Sequence, residues 1–235
     1  MKKKWTWNTI ADDLKQSFEQ DHYKNGDRMP GETKLADHYH VAPAEIRKAY
    51  EYLRSQGYLY TMLGYGSYFF GKREKVRLCM NNESFTRQMA ALHLPVETRN
   101  ISCQKLREDS LIHAMLEVDT SEPVYKITRL HLLDETPVAV QISYLAEDLF
   151  PCIAEDGSSI TSVFEYIRSC GYLHLTSVTP QLSISSLTKK ERSLLNIKGY
   201  APSLVLTSRR CSQPSGIIVE VSRTIYRSDQ FLFEL

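Results

Sequence analysis

At 235 residues, with 42% apolar and 24% charged residues and a formal net charge of +1, the chain has room for two domains, and its composition alone does not announce a polyanion partner. No apolar run approaches the roughly 20 residues that span a bilayer, and Lys2, Lys3 and Lys4 are followed by no apolar stretch; neither a membrane span nor an export signal is expected, and the protein is expected to be cytoplasmic. The five cysteines, Cys79, Cys103, Cys152, Cys170 and Cys211, form no CxxC pair and no zinc-like spacing with histidine, so reduced thiols are expected, with no metal and no cofactor.

Three helices open the chain. Trp7, Ile10, Leu14 and Phe18 recur at helical spacing, and Asn25-Gly26 signals a turn. Pro30-Gly31-Glu32 starts a short helix with Leu35, Ala36 and Tyr39 on its buried side. After His40-Val41, Pro43 opens a third: Glu45 lies near the positive end of the helix dipole, and Ile46, Ala49, Tyr50 and Leu53 form the apolar stripe up to Gly57.

The period then changes. Tyr58–Met62 and Ser67–Phe70 are rich in β-forming aromatics and flank Leu63-Gly64-Tyr65-Gly66, which predicts a hairpin with a glycine tip. Helix, helix, helix, hairpin is the order of a winged helix-turn-helix. Gly71-Lys72-Arg73-Glu74-Lys75 reads as a charged linker. Up to residue 75 there are 13 Lys and Arg against 10 Asp and Glu, and beyond it 16 against 18, so the basic excess lies on the helical side.

The remainder lacks the regular strand-helix alternation of a parallel sheet. Antiparallel hairpins are predicted from Pro123–Leu133 with Val138–Leu145, and from Ser203–Cys211 with Gly216–Arg227. Helices are predicted at Ser84–Leu92, Asp109–Leu116, Ser159–Ser169 and Thr188–Leu195, the last opened by the capping box Thr188-Lys189-Lys190-Glu191. The expected class is α+β, with the second domain built on one antiparallel sheet.

The run Arg28-Met29-Pro30-Gly31-Glu32-Thr33-Lys34-Leu35-Ala36, then Val41, Ile46-Arg47-Lys48-Ala49-Tyr50-Glu51-Tyr52-Leu53, Gly57 and Gly64-Tyr65-Gly66-Ser67-Tyr68-Phe69 resembles the DNA-binding domain of the GntR family. Glu122-Pro123-Val124-Tyr125 leading to Arg129, Pro137-Val138-Ala139 leading to Tyr144, Ser162-Val163-Phe164-Glu165, and Glu220-Val221-Ser222-Arg223 leading to Tyr226 resemble the UTRA effector domain of the HutC subfamily. The resemblance implies a winged helix-turn-helix over residues 1–71, a linker over 72–79 and a chorismate-lyase-like effector domain over 80–235. It further implies a homodimer reading an inverted repeat in double-stranded operator DNA, a small-molecule effector that changes DNA affinity, and no membrane partner.

Residues follow by position. The resemblance places Lys34, Ala44, Glu45, Arg47 and Lys48 against the duplex, with the wing tip Gly64, Tyr65 and Gly66. Relatives carry arginine at the positions of Thr33, Pro43 and Thr61, basic residues at Leu63 and Tyr65, and a small hydroxyl residue at Glu45, so much of the cationic surface is missing here. Weaker binding is expected, or binding redistributed onto Lys2, Lys3, Lys4 and Tyr65. The ligand set carried over is Ser84 or Thr86, Arg129, His131, Gln141, Ser162, Phe164, Glu220 and Tyr226, suited to a small, polar and even phosphorylated anion. Relatives have arginine at His131 and glutamate at Gln141. Alternatively, Arg129 and Glu220 form an ion pair across the sheet, and the charges of the reading head are solvated surface.

Two other functions stay open at this point. An enzyme is one, since the implied C-terminal fold is shared with a lyase; the sequence has no nucleophile elbow, metal-ligand cluster, phosphate loop or nucleophile-base pair, so no catalytic residue is expected. The other is a regulator with a degenerate reading surface that acts through protein contacts.

Overall fold

The computed structural model describes residues 5–71, 74–77, 85–107, 109–197 and 202–234. The chain divides into two compact units, one of Met1–Val76 with Asp229–Glu234 and one containing Arg77–Ser228. Lys2, Lys3, Lys4 and Ser84, for which roles were expected, and linker residues 72–73 and 78–79 lie outside the described residues.

In the first unit, α1 (Trp7–Glu19) turns Ile10, Ala11, Leu14 and Phe18 inward, as the spacing predicts. The next helix, α2 (Glu32–Tyr39), ends where His40 takes a left-handed conformation, φ 54°, and the Val41 N–H closes onto the Ala36 carbonyl. Pro43 sits in the first turn of α3 (Pro43–Ser55), whose buried stripe is Ile46, Ala49, Tyr50 and Leu53. Gly57, at φ 75°, releases the chain into β1 (Leu59–Met62), which pairs antiparallel with β2 (Gly66–Phe69). Phe18 stacks on Phe69 at 4.3 Å and ties α1 to the hairpin; full burial of a side chain this size contributes about 3 kcal/mol.

The expected linker carries structure in its second half. Strand β3 (Glu74–Arg77) starts at Glu74 and pairs with the C-terminal strand β10 (Phe231–Glu234), so residues of the chain's end belong with the first unit. Neither strand has an apolar partner nearby in sequence, which is why charge dominated the reading of that segment.

The second unit contains α4 (Phe85–Ala91), β4 (Val96–Lys105), α5 (Ser110–Leu116), β5 (Val124–Leu133), β6 (Thr136–Ala146), α6 (Ile153–Asp156), α7 (Val163–Ser169), β7 (Leu175–Ser186), α8 (Lys189–Leu194), β8 (Pro202–Ser212) and β9 (Ile218–Arg227). Its six strands form one antiparallel sheet in the order β4-β5-β6-β9-β8-β7. The capping box at Thr188 is formed: its hydroxyl accepts from the Glu191 N–H, and Glu191 accepts from the Thr188 N–H at 2.8 Å. The helix predicted from Ser159 begins only at Val163, because Ser162 caps it and the residues before it form a loop over the sheet.

The two sheet faces differ in chemistry. One buries Leu130, Leu132, Val140, Ile142, Val205 and Ile225 against Leu187 and Leu195 around α8. On the other, Ile127, Phe150, Ile153, Val163 and Ile167 pack together at one end. Leu204 and Leu206 of β8 and Leu182 and Ile184 of β7 lie toward its other edge, and the stretch between is polar.

Candidate functional site

Directly opposed residues of antiparallel strands share a face, so the register assembles the polar face row by row. Thr98, His131, Ala139 and Tyr226 make one row; Asn100, Arg129, Gln141 and Thr224 the next; Cys103, Ile127, Ser143 and Ser222 the third. Two residues on from Ser222, Glu220 faces Arg210. Five of the predicted ligand residues, Arg129, His131, Gln141, Glu220 and Tyr226, therefore lie on one surface.

A hydrogen-bonded chain runs across it. Arg129 Nη2 donates to Ser143 Oγ at 3.2 Å, Ser143 Oγ donates to Glu220 Oε1 at 2.6 Å, and Arg210 Nε donates to Glu220 Oε2 at 2.9 Å. The alternative of a direct Arg129–Glu220 ion pair is thus replaced: the pair is Arg210–Glu220, with Ser143 standing between Glu220 and Arg129. Arg129 Nη1 also donates to the Thr161 carbonyl at 3.2 Å, from a loop pinned by Asn100 Nδ2, which donates to the Gly157 and Ile160 carbonyls at 2.8 Å each. Arg129 Nε is buried and has no hydrogen-bond partner among the described residues.

Burial sets the charge states. It pushes the Glu220 carboxyl up, but Arg210, Ser143 and Arg129 outweigh it and hold the group below the usual range. Burial lowers Arg129 to about 10, with Glu220 opposing and Arg210 assisting, so Arg129 stays charged at neutral pH. Burial and the nearby Arg129 charge lower His131 to about 3, leaving it neutral. With Gln141 Oε1 facing Nε2 at 3.3 Å, the ring carries its proton there and accepts on Nδ1 from Thr98 Oγ1 at 2.9 Å. Tyr226 is buried and neutral, raised by that burial.

The cover comes from two helices. Phe85 of α4 packs on His131 at 4.6 Å and on Tyr226 at 5.8 Å, with half-buried Thr86 beside it. Ser162 spends its oxygen on the start of α7. Phe164 meets Arg210, Arg87 and Arg168 at 5.0, 5.2 and 5.8 Å from its ring centre, which makes it a platform for cations. Sequence reasoning missed Ser143 and Arg210. Ser143 follows Gln141 by two along β6 and was open to the alternation argument; Arg210 needed the β8–β9 register.

On the first unit, Lys34, Ala44, Arg47, Lys48 and the tip Gly64, Tyr65 and Gly66 are exposed, and Glu45 is half-buried. Arg47 is held by Glu32: Nε and Nη2 donate to Oε2 at 3.1 and 2.9 Å. Lys48 Nζ lies 3.7 Å from Glu45 Oε1. Gly64 and Gly66, at φ 80° and 110°, permit the tight tip, and Arg54 donates to Thr61 and Ser67 on the two hairpin strands. Among the described residues no cluster of His, Cys, Asp and Glu could hold a metal, and no helix is long and apolar enough to cross a membrane.

Comparison with known proteins fits both units. Residues 6–69 match the bacterial regulatory proteins of the gntR family, and residues 91–231 match the UTRA domain. The chain is 24% identical over 224 residues to the HTH-type transcriptional repressor NagR of Bacillus subtilis, covering 95% of this chain and 91% of that protein. It is 22% identical over 227 residues to the mannosyl-D-glycerate transport/metabolism system repressor MngR of Escherichia coli, covering 96% and 93%. The crystal structure of PhnF from Mycobacterium smegmatis superposes with a TM-score of 0.64 at 22% identity over 96% of this chain and 97% of that one, which shows the common fold. These relatives are regulators, not enzymes. The chain belongs to the GntR family of bacterial transcription regulators, joining a winged helix-turn-helix to a UTRA domain.

Proposed function

We propose that this regulator is a cytoplasmic homodimeric repressor that reads a short inverted repeat and changes operator affinity when a small, polar, anionic metabolite binds the second unit. In this reading residues 1–71 read DNA, 72–79 connect, and 80–235 sense. Lys34, Ala44, Glu45, Arg47, Lys48 and the tip Gly64–Gly66 face the duplex, and two-fold proteins match two-fold operators.

One observation carries the ligand chemistry. Arg129 is buried and Arg210 half-buried on either side of Glu220, and Arg129 Nε has no partner among the described residues. Buried charge is costly unless compensated, so the face favours a guest that brings negative charge. Neutral His131, Gln141 and Tyr226 suit hydroxyl groups of the same guest, with Thr86, Ser162 and Phe164 at its border. The MngR relative is named for a glycoside of glycerate, itself a carboxylate, which is consistent with this chemistry.

Thermal-shift screening of the full chain against sugar phosphates and sugar acids, followed by calorimetry on each hit, tests the reading. Binding lost in Arg129→Ala and a linked change in operator affinity are expected. Unchanged calorimetric affinity in that variant would overturn the pocket assignment.

A second reading, regulation through protein contacts, is favoured by Arg47 being engaged by Glu32 and Lys48 by Glu45. A shift assay on fragments of the protein's own promoter region at several salt concentrations separates the two.

A further inference from the structure

The cations of the first unit are not equally available. Arg47 donates to Glu32, Lys48 lies against Glu45, and Arg54 donates to Thr61 and Ser67. Arg28 is exposed, and among the described residues its guanidinium has no hydrogen-bond or ion-pair partner.

Residues 27–29 run as a third strand beside the wing. Arg28 bridges antiparallel to Tyr68, the Met29 N–H donates to the Ser67 carbonyl at 2.9 Å, and the Phe69 N–H donates to the Asp27 carbonyl at 2.8 Å. Opposed residues share a face, so Arg28 stands with Tyr68 and Tyr60 on the side of the hairpin turned away from buried Leu59 and Phe69. Two positions along β2 the same face holds Gly66, opposite Met62. Gly66 has no side chain, and the arginine head lies beside the empty position: a Cβ there would stand 3.5 Å from Arg28 Nε and 3.7 Å from Nη2. Between Tyr58 and Phe70 the sequence contains no charged residue. Arg28 therefore brings to the wing tip a charge that the hairpin itself lacks.

We infer that Arg28 is the wing's DNA contact, with its guanidinium set in the minor groove at A·T pairs; this rests on the reading above that places the wing tip against the duplex. A narrow A·T-rich minor groove concentrates negative potential and draws in arginine, whose planar, weakly hydrated fork loses less on entry than an ammonium does. Gly64 and Gly66 let backbone come close to the groove walls, and exposed Leu63 and Tyr65 add apolar contact without repelling phosphate. A phosphate contact alone asks for no such shape, since any cation on an open surface can make one. A groove-filling edge needs a narrow, uncharged hairpin with a cation at its end, and Arg28 completes that arrangement.

Binding of the full chain to duplexes selected from random sequences, wild type beside Arg28→Ala and Arg28→Lys at several salt concentrations, tests the contact. For Arg28→Ala the affinity should fall at least about fivefold and the slope of log affinity on log salt should shrink by about 1 per subunit, with melting unchanged. The selected duplexes should carry A·T pairs under the wing. Exchanging these for G·C should weaken the wild type at least about fivefold, because the guanine amino group enters the minor groove; inosine·cytosine pairs, which lack that group, should be tolerated. Arg28→Lys should keep the salt slope and lose most of this discrimination. Wild-type affinity and slope in Arg28→Ala would overturn the contact and leave DNA reading standing. A weakened Arg28→Ala that still prefers A·T to G·C under the wing would overturn the groove assignment and put Arg28 on phosphate. A wild type that binds no duplex better than random DNA would overturn both this contact and the reading it rests on.

Discussion

Glu45 Oε2 accepts a hydrogen bond at 2.9 Å from the backbone N–H of Trp7, so a carboxylate in the first turn of α3 satisfies a free donor in the first turn of α1. The sequence offered Glu45 two roles, steadying its own helix or reading a base. The contact adds a third, a cap across helices, and accounts for an acidic residue where relatives have a hydroxyl. Glu45→Thr should lower stability by about 1 kcal/mol, the usual loss of a cap, and should strengthen binding to all DNA sequences alike by removing a carboxylate from the phosphates. Thermal melting and selection on random operators check both parts. Loss of preference at one operator position with average affinity fixed would instead make Glu45 a base reader.

Glu32 engages Arg47 on the surface proposed to meet DNA. Both groups are substantially exposed, at 61% and 36% of their side chains, so the pair contributes little to folding while occupying the guanidinium edge that would grip a phosphate or a guanine. Glu32→Gln should leave melting unchanged, raise operator affinity, and steepen the dependence of log affinity on log salt by about 1 per subunit. An unchanged salt slope would place Arg47 away from the duplex.

Legibility from sequence followed the strength of local periodicity. The three helices and the wing were readable because Ile10, Leu14 and Phe18, or Ile46, Ala49 and Leu53, repeat at helical spacing and are capped by Pro43 and Gly57. Four strands of the large sheet were readable as two hairpins. The edges were not: β4 reads as polar through Glu97, Arg99, Asn100 and Ser102, and β7 is rich in serine and threonine and broken at Pro180. Alternation placed Arg129 with His131, but the Ser143 bridge and the Arg210–Glu220 pair depend on which strands are neighbours, and no single strand holds that information.

Gly157 is a packing requirement beneath the candidate pocket. A Cβ there would overlap Cys103 Sγ and stand 2.5 Å from the Ile153 carbonyl oxygen, although the backbone, at φ −57°, is one any residue adopts. Gly157→Ala should destabilise by about 2 kcal/mol through overpacking. Because Asn100 holds the Gly157 and Ile160 carbonyls, the same change should loosen the Thr161 carbonyl from Arg129. Adding Cys103→Ala should recover part of the loss, since it removes the sulfur and leaves the backbone contact. Full additivity of the two changes in a thermal or denaturant cycle would refute the steric account.

His131 should give the protein an acid sensitivity of its own. The ring is fully buried between Thr98, Gln141 and Phe85, with the Arg129 charge nearby, and burial first, then that charge, lower it to about 3 from an unfolded value of 6.5. As pH falls below 6.5 the unfolded chain takes up a proton that the folded chain refuses, so the unfolded state binds more protons and folding stability falls with pH. The loss accumulates from about 6.5 down to about 3, at up to about 1.4 kcal/mol per pH unit, and amounts to about 2 kcal/mol between pH 7 and pH 5. Glu220, held below the usual carboxylate range by its arginines, contributes its own loss mainly below that interval. His131→Gln keeps a donor and an acceptor without a titrating group. Denaturant unfolding at pH 7 and pH 5 should therefore show the wild type losing about 2 kcal/mol more than the variant. Equal losses in both proteins would mean that His131 accepts a proton in the folded state, and the candidate pocket would then gain a positive charge in mild acid that its neutral form lacks.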